Sequence, residues 1–94
     1  MVEVIYTEHL QFRLKLRKIP NDFPQKIFQE PEQQFYDTIE DTFIAIKKLY
    51  YNGKPRNMMI AYEKKKIIIQ IITIHPITDE KIINRVINNR WIRK

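Results

Sequence analysis

Cysteine is absent from the 94-residue chain. That excludes disulfides, thiolate metal sites and a cysteine nucleophile, and it fits an intracellular protein. Glycine occurs once, so no Gly-rich loop is available to cradle a phosphate. No Gly/Ser or Pro-rich tract, internal repeat or domain linker interrupts the chain, which argues against disorder. The two histidines stand apart at His9 and His75. With no cysteine beside them they make no zinc site, and the carboxylates are scattered without metal-binding spacing. No cofactor is expected. The most apolar stretch, from Ile67 to Ile77, is too short to span a bilayer. Met1-Val2-Glu3-Val4 lacks the basic and apolar regions of a signal peptide. No membrane partner is expected, and the predicted location is the cytoplasm.

What the chain does have is apolar mass and positive charge. Hydrophobic residues make up 44% and aromatics 12%, enough for a single small domain over residues 1–94 to build a core. Seventeen Lys and Arg against eleven Asp and Glu give a net charge of +6. A surplus of this size favours a polyanionic partner, with RNA foremost.

Val2 to Thr7 is β-rich and predicts a strand. From Glu8 to Arg17, Leu10 and Leu14 recur at i, i+4, as do Phe12 and Leu16, predicting the apolar face of an amphipathic helix. Thr7 is a ready N-cap, and Pro20 ends the segment. Asn21 and Asp22 can cap a second short helix anchored by Ile27 and Phe28 and stopped at Pro31. A period near two then takes over. Phe35 to Thr38, Phe43 to Tyr51 and Arg56 to Glu63 read as strands, with Asn52-Gly53 marking a hairpin. Lys64-Lys65-Lys66 reads as a second turn. Ile67 to His75 is almost unbroken β-branched sequence and predicts a central strand covered on both faces. After Pro76, Thr78 can cap a last helix with Asp79 and Glu80 in its first turn. Ile82, Ile83, Val86 and Ile87 would form its stripe. Arg90, Trp91, Arg93 and Lys94 end the chain as a basic tail. The predicted class is α+β: two N-terminal helices packed on a 3–5-stranded, mainly antiparallel sheet, with a C-terminal helix.

The order of elements resembles the RelE/ParE superfamily of bacterial and archaeal toxins, and more closely a branch of small toxins related to BrnT. The matching residues are Tyr6-Thr7-Glu8-His9 leading into Phe12-Arg13 and Arg17, then Ile19-Pro20. Pro31-Glu32 and Phe35-Tyr36-Asp37 follow. Lys47-Lys48, Gly53-Lys54-Pro55-Arg56 and Thr73-Ile74-His75-Pro76 complete the match, which covers most of the chain. The resemblance implies a RelE-like fold and a toxin that cleaves mRNA without a metal, often on the ribosome. It also implies a cognate antitoxin as partner. ParE-type members instead act on DNA gyrase, and a non-catalytic RNA- or protein-binding member of the same fold is the other alternative.

Metal-independent cleavage needs a base for the 2′-hydroxyl, a cation for the charge on the phosphate and an acid for the departing oxygen. His75 is the first candidate, because histidine titrates near neutrality and this one stands where a strand exits. It could equally be a histidine bonded to backbone at that exit. The resemblance places basic catalytic residues on the middle strands, where Lys47, Lys48 and Arg56 match. Lys47 and Lys48 must point to opposite faces of their strand, and the sequence leaves open which one meets a substrate. His9, Arg13 and Arg17 fall at i, i+4, i+8 and form a basic helix stripe able to track phosphates, or only a solvated face. Arg90 and Arg93 suit phosphate contact, whereas Trp91 suits packing. Tyr50 and Tyr62 are further catalytic candidates, but a core or half-buried role suits each better.

Overall fold

The computed structural model describes residues 2–94. The elements run β1 (Glu3–Tyr6), α1 (Glu8–Leu16), α2 (Phe23–Gln29), β2 (Gln33–Asp37), β3 (Thr42–Tyr51), β4 (Lys54–Lys65), β5 (Ile68–Pro76), α3 (Asp79–Ile87) and β6 (Trp91–Arg93). Local chemistry explains most boundaries. Thr7 caps α1 by accepting a hydrogen bond from the Leu10 N–H, and Thr78 caps α3 by accepting one from Lys81. Asn52 and Gly53 both take positive φ, the conformation of a tight two-residue hairpin between twisted strands. Lys66 also has positive φ. The second turn therefore sits at Lys66 and Ile67, later than the lysine run suggested, because Lys64 and Lys65 still pair across the hairpin with Ile69 and Ile68.

All six strands join one sheet in the order β1-β5-β4-β3-β2-β6. β1 runs parallel to β5, while the other pairings are antiparallel. This overturns the expected RelE-like layout of two N-terminal helices on a 3–5-stranded, mainly antiparallel sheet. The protein is strand-dominated, its sheet is larger and mixed, and its helices lie on both faces. The last strand accounts for part of the difference. The charges of Arg90, Arg93 and Lys94 suggest a basic tail, but Trp91–Arg93 form an edge strand, which tolerates charge. It also gains the burial of Trp91, which stacks on Phe35 with ring centroids 5.3 Å apart.

The sheet separates two cores. On one face α1 and α2 bury Leu10, Leu14, Phe23 and Ile27 against Met58, Ile60, Ile71 and Ile74. On the other, α3 contributes Ile82 to a smaller core with Phe35, Ile44, Ile46, Met59 and Trp91. Of the two apolar pairs on α1, only Leu10 and Leu14 face the sheet. Phe12 and Leu16 are 62% and 65% exposed, and Ile83 and Ile87 of α3 also face solvent. β5 lies next to the sheet edge strand β1. Its Ile69, Ile71 and Ile74 are buried on the α1 side, but the other side is partly open, so it is not covered on both faces as expected. Among the described residues, no helix is long and apolar enough to cross a membrane.

Candidate functional site

Alternation along the strands decides which side chains share a face. In β3, Ala45 belongs to the α1/α2 core, whereas Ile44 and Ile46 belong to the α3 core. Continuing the alternation puts Lys47, Leu49 and Tyr51 on the α1/α2 face and Lys48 on the α3 face. Lys47 lies opposite Met58, and Leu49 lies opposite Arg56. Arg56 therefore shares the α1/α2 face with Lys47. In β5, His75 lies opposite Met59, a member of the α3 core. The four residues expected to act together are thus divided, with His75 and Lys48 on one face and Lys47 and Arg56 on the other.

His75 opens into a cleft of about 250 Å³ on the α3 face. Ile44, Met59 and Ala61 form its floor, Thr73 and His75 one wall, and Arg85, Arg90 and Trp91 the other. The bulge between Ala61 and Tyr62 shifts the register of β4 against β5 beside this wall. Bulges commonly re-aim side chains next to functional sites.

The His75 ring has a defined proton arrangement. Nδ1 lies 3.0 Å from the Pro76 carbonyl oxygen, which can only accept. Nδ1 therefore carries the proton in the neutral ring, and Nε2 holds the free lone pair. Burial lowers the pKa of His75 below its ordinary value. The Pro76 hydrogen bond opposes the shift, and the charges of Arg17, Arg13 and Arg85 reinforce it. The environment of His75 thus favours the uncharged ring.

Arg85 and Arg90 differ in how they are held. Arg85 stacks over Trp91, 5.2 Å from the ring centroid, and its buried Nε has no hydrogen-bond partner. Among the described residues it forms no ion pair. A half-buried guanidinium without a counterion is a group suited to an anion. Arg90 instead pairs with buried Asp37, with Nε 3.2 Å from Oδ2. Asp37 also accepts hydrogen bonds from the N–H groups of Ile39 and Glu40 and from the Trp91 indole. Its burial opposes ionisation. The bonds from Glu40, Trp91 and Ile39 and the Arg90 charge outweigh that, so its pKa lies below the usual carboxylate value.

The other expected residues take varied places. Arg13 is half-buried and Arg17 exposed on α1, and both lie near enough for their charges to act on His75. His9 is exposed. Despite its register on the α1/α2 face, Arg56 joins Lys48 and Lys81 at the end of the sheet in lining a second groove, beyond the start of α3, where the Asn57 amide bonds the Asp79 carboxylate. Arg93 lies over the Phe35 ring, 5.3 Å from its centroid, outside the His75 cleft. Tyr62 stacks on Phe43 in the α1/α2 face, and burial raises its pKa. Tyr50 is exposed, its hydroxyl bonded to the Gly53 carbonyl. Among the described residues, no group of three His, Cys, Asp or Glu side chains could hold a metal ion.

Sequence reasoning missed Arg85, Thr73 and Asp37. Arg85 follows an Ile-Ile-Asn run and reads as a helix-end cation. A periodicity reading could have found it, since Ile82 and Arg85 lie at i, i+3 and so share a face. No family profile, curated protein or solved structure matches the chain.

Proposed function

We propose that the protein is a metal-independent endoribonuclease of the toxin type, acting on mRNA through the His75 cleft. One observation carries the reading: a neutral histidine with a free Nε2 shares a small cleft with Arg85, a half-buried cation that lacks a counterion. The net charge of +6 supports a polyanionic substrate. In the reaction, His75 Nε2 removes the proton of the 2′-hydroxyl and that oxygen attacks the adjacent phosphorus. The bond to the 5′-oxygen breaks, and water protonates the departing oxygen. The products are a 2′,3′-cyclic phosphate and a 5′-hydroxyl end. Arg85 and the free nitrogens of Arg90 stabilise the charge that builds on the phosphate. Arg13 and Arg17 hold the strand beyond the cleft, and a cognate antitoxin would restrain the protein in its cell.

The test is cleavage of labelled mRNA by purified protein, with and without ribosomes. His75→Ala is expected to slow cleavage by about 10²–10⁴-fold, the usual contribution of a general base. Cleavage at the parental rate by His75→Ala would refute the assignment. RNA binding with a steep salt dependence and no cleavage by the parent would reduce the protein to an RNA-binding one. Inhibition of gyrase supercoiling without RNA cleavage would move its target to that enzyme.

A further inference from the structure

The carboxylate of Asp37 is the most heavily bonded side-chain group in the cleft wall, and it is 3% exposed. Two of its bonds hold the turn after β2, through the N–H groups of Ile39 at 2.9 Å and Glu40 at 3.0 Å. The other two reach across to the chain after α3. Arg90 Nε lies 3.2 Å from Oδ2 and 3.4 Å from Oδ1, and Trp91 Nε1 donates to Oδ2 at 3.0 Å.

The way Arg90 is held matters. Only its Nε reaches Asp37. Among the described residues its two terminal nitrogens make no hydrogen bond, and their four N–H groups remain available as donors. A guanidinium fixed by its inner nitrogen presents its outer fork already aimed, which is the geometry that grips a phosphate with two parallel bonds. Trp91, fixed by the other bond, supports Arg85 through the face of its ring. One buried carboxylate therefore sets the orientation of both guanidinium groups bordering the cleft.

We propose that Asp37 is a positioning residue that orients Arg90 directly, and Arg85 through Trp91, for bidentate capture of the scissile phosphodiester of RNA. The inference rests on the reading of the cleft as an RNA site. Asp37 touches no substrate. Its effect is to spare the ligand the entropy cost of ordering two long side chains on binding.

The test measures affinity for a short single-stranded 2′-O-methyl RNA, which has no 2′-hydroxyl to react. It compares the parent with Arg90→Ala, Arg90→Lys, Asp37→Asn and the Asp37→Asn/Arg90→Ala double variant. Trp91 is the single tryptophan, so its fluorescence reports whether the cleft wall stays folded. Arg90→Ala is expected to weaken binding about tenfold, as loss of a charged hydrogen-bonding contact does. It should also lower the salt slope by about one contact. Arg90→Lys keeps the charge but cannot be anchored at one nitrogen while offering a fork from others, so it should bind nearly as weakly. Asp37→Asn should weaken binding several-fold in the parent and add nothing once Arg90 is gone.

An Asp37→Asn effect of equal size in both backgrounds would overturn the proposal, since a general structural defect behaves that way. Parental affinity in Arg90→Lys would overturn it too, and this arm decides alone if Asp37→Asn fails to fold. Parental affinity in Arg90→Ala would instead sink the RNA reading of the cleft itself.

Discussion

The two faces of the sheet are built from the same β-branched strands yet differ in how they are closed. The α1/α2 face is sealed by two helices and is lined with apolar side chains from Leu10 through Ile74. Its lysine and arginine, Lys47 and Arg56, sit toward the hairpin end of the strands. The α3 face has one helix lying across it, and that helix leaves a cleft holding His75, Arg85 and Arg90. The larger apolar core lies on the first face, and the proposed chemistry on the second, beside a smaller core. Strands with period-two alternation permit this division, because each residue commits to one face. A substitution can then reach one role without the other.

The largest effect that would sharpen the contrast is on stability. Ile60 is fully buried in the α1/α2 core. Ile60→Ala is expected to cost about 2–5 kcal/mol in denaturant unfolding. A loss below about 1 kcal/mol would show that this face is less tightly packed than its burial indicates.

The next effect belongs to the open face and depends on pH. The folded state lowers the His75 pKa, chiefly by burial, so the neutral ring is favoured on folding. The stability tied to that neutral ring is fully present above about 6.5, the value in an unfolded chain. It is lost as pH falls from there through the depressed folded value. The cleavage rate should follow the same ionisation, with an acid limb centred below about 6.5 that disappears in His75→Gln. A limb centred above that value would contradict the buried environment of the ring.

A smaller effect concerns the helix that covers the open face. Thr78→Ala removes the cap of α3 and should cost about 1 kcal/mol by thermal or denaturant unfolding. The smallest is at Lys47, across the sheet from the cleft. Lys47→Ala should change cleavage by less than about twofold, as substitutions remote from a site do. A loss comparable to that of His75→Ala would break the division between the faces.

Much of this architecture was legible from residues with a local mechanism. Thr7 and Thr78 announced two helix starts, and Asn52-Gly53 announced a hairpin, because each acts within a few residues of itself. The features that escaped depend on distant partners. Leu10/Leu14 and Phe12/Leu16 repeat at the same spacing, and only the position of β5 decides which pair is buried. Alternation required Lys47 and Lys48 to part, but which of them joins His75 depends on the register of three strands. Asp37 is one acidic residue among several in a turn until Arg90 and Trp91 arrive from the far end of the chain. Trp91-Ile92-Arg93 has too few residues, and too much charge, to register as a strand until β2 offers it an edge.

That short last strand also bears on how the protein coexists with copies of itself. A chain so rich in isoleucine strands is at risk of pairing edge to edge into aggregates. Here Ile68 to Ile71 of the most β-branched strand, β5, are enclosed between β1 and β4, and α1 packs against β5. The two strands left at the rims, β1 and β6, span only four and three residues. Arg93 places a charge on one rim and Glu3 on the other. Short, charged rim strands disfavour edge-to-edge pairing with another sheet.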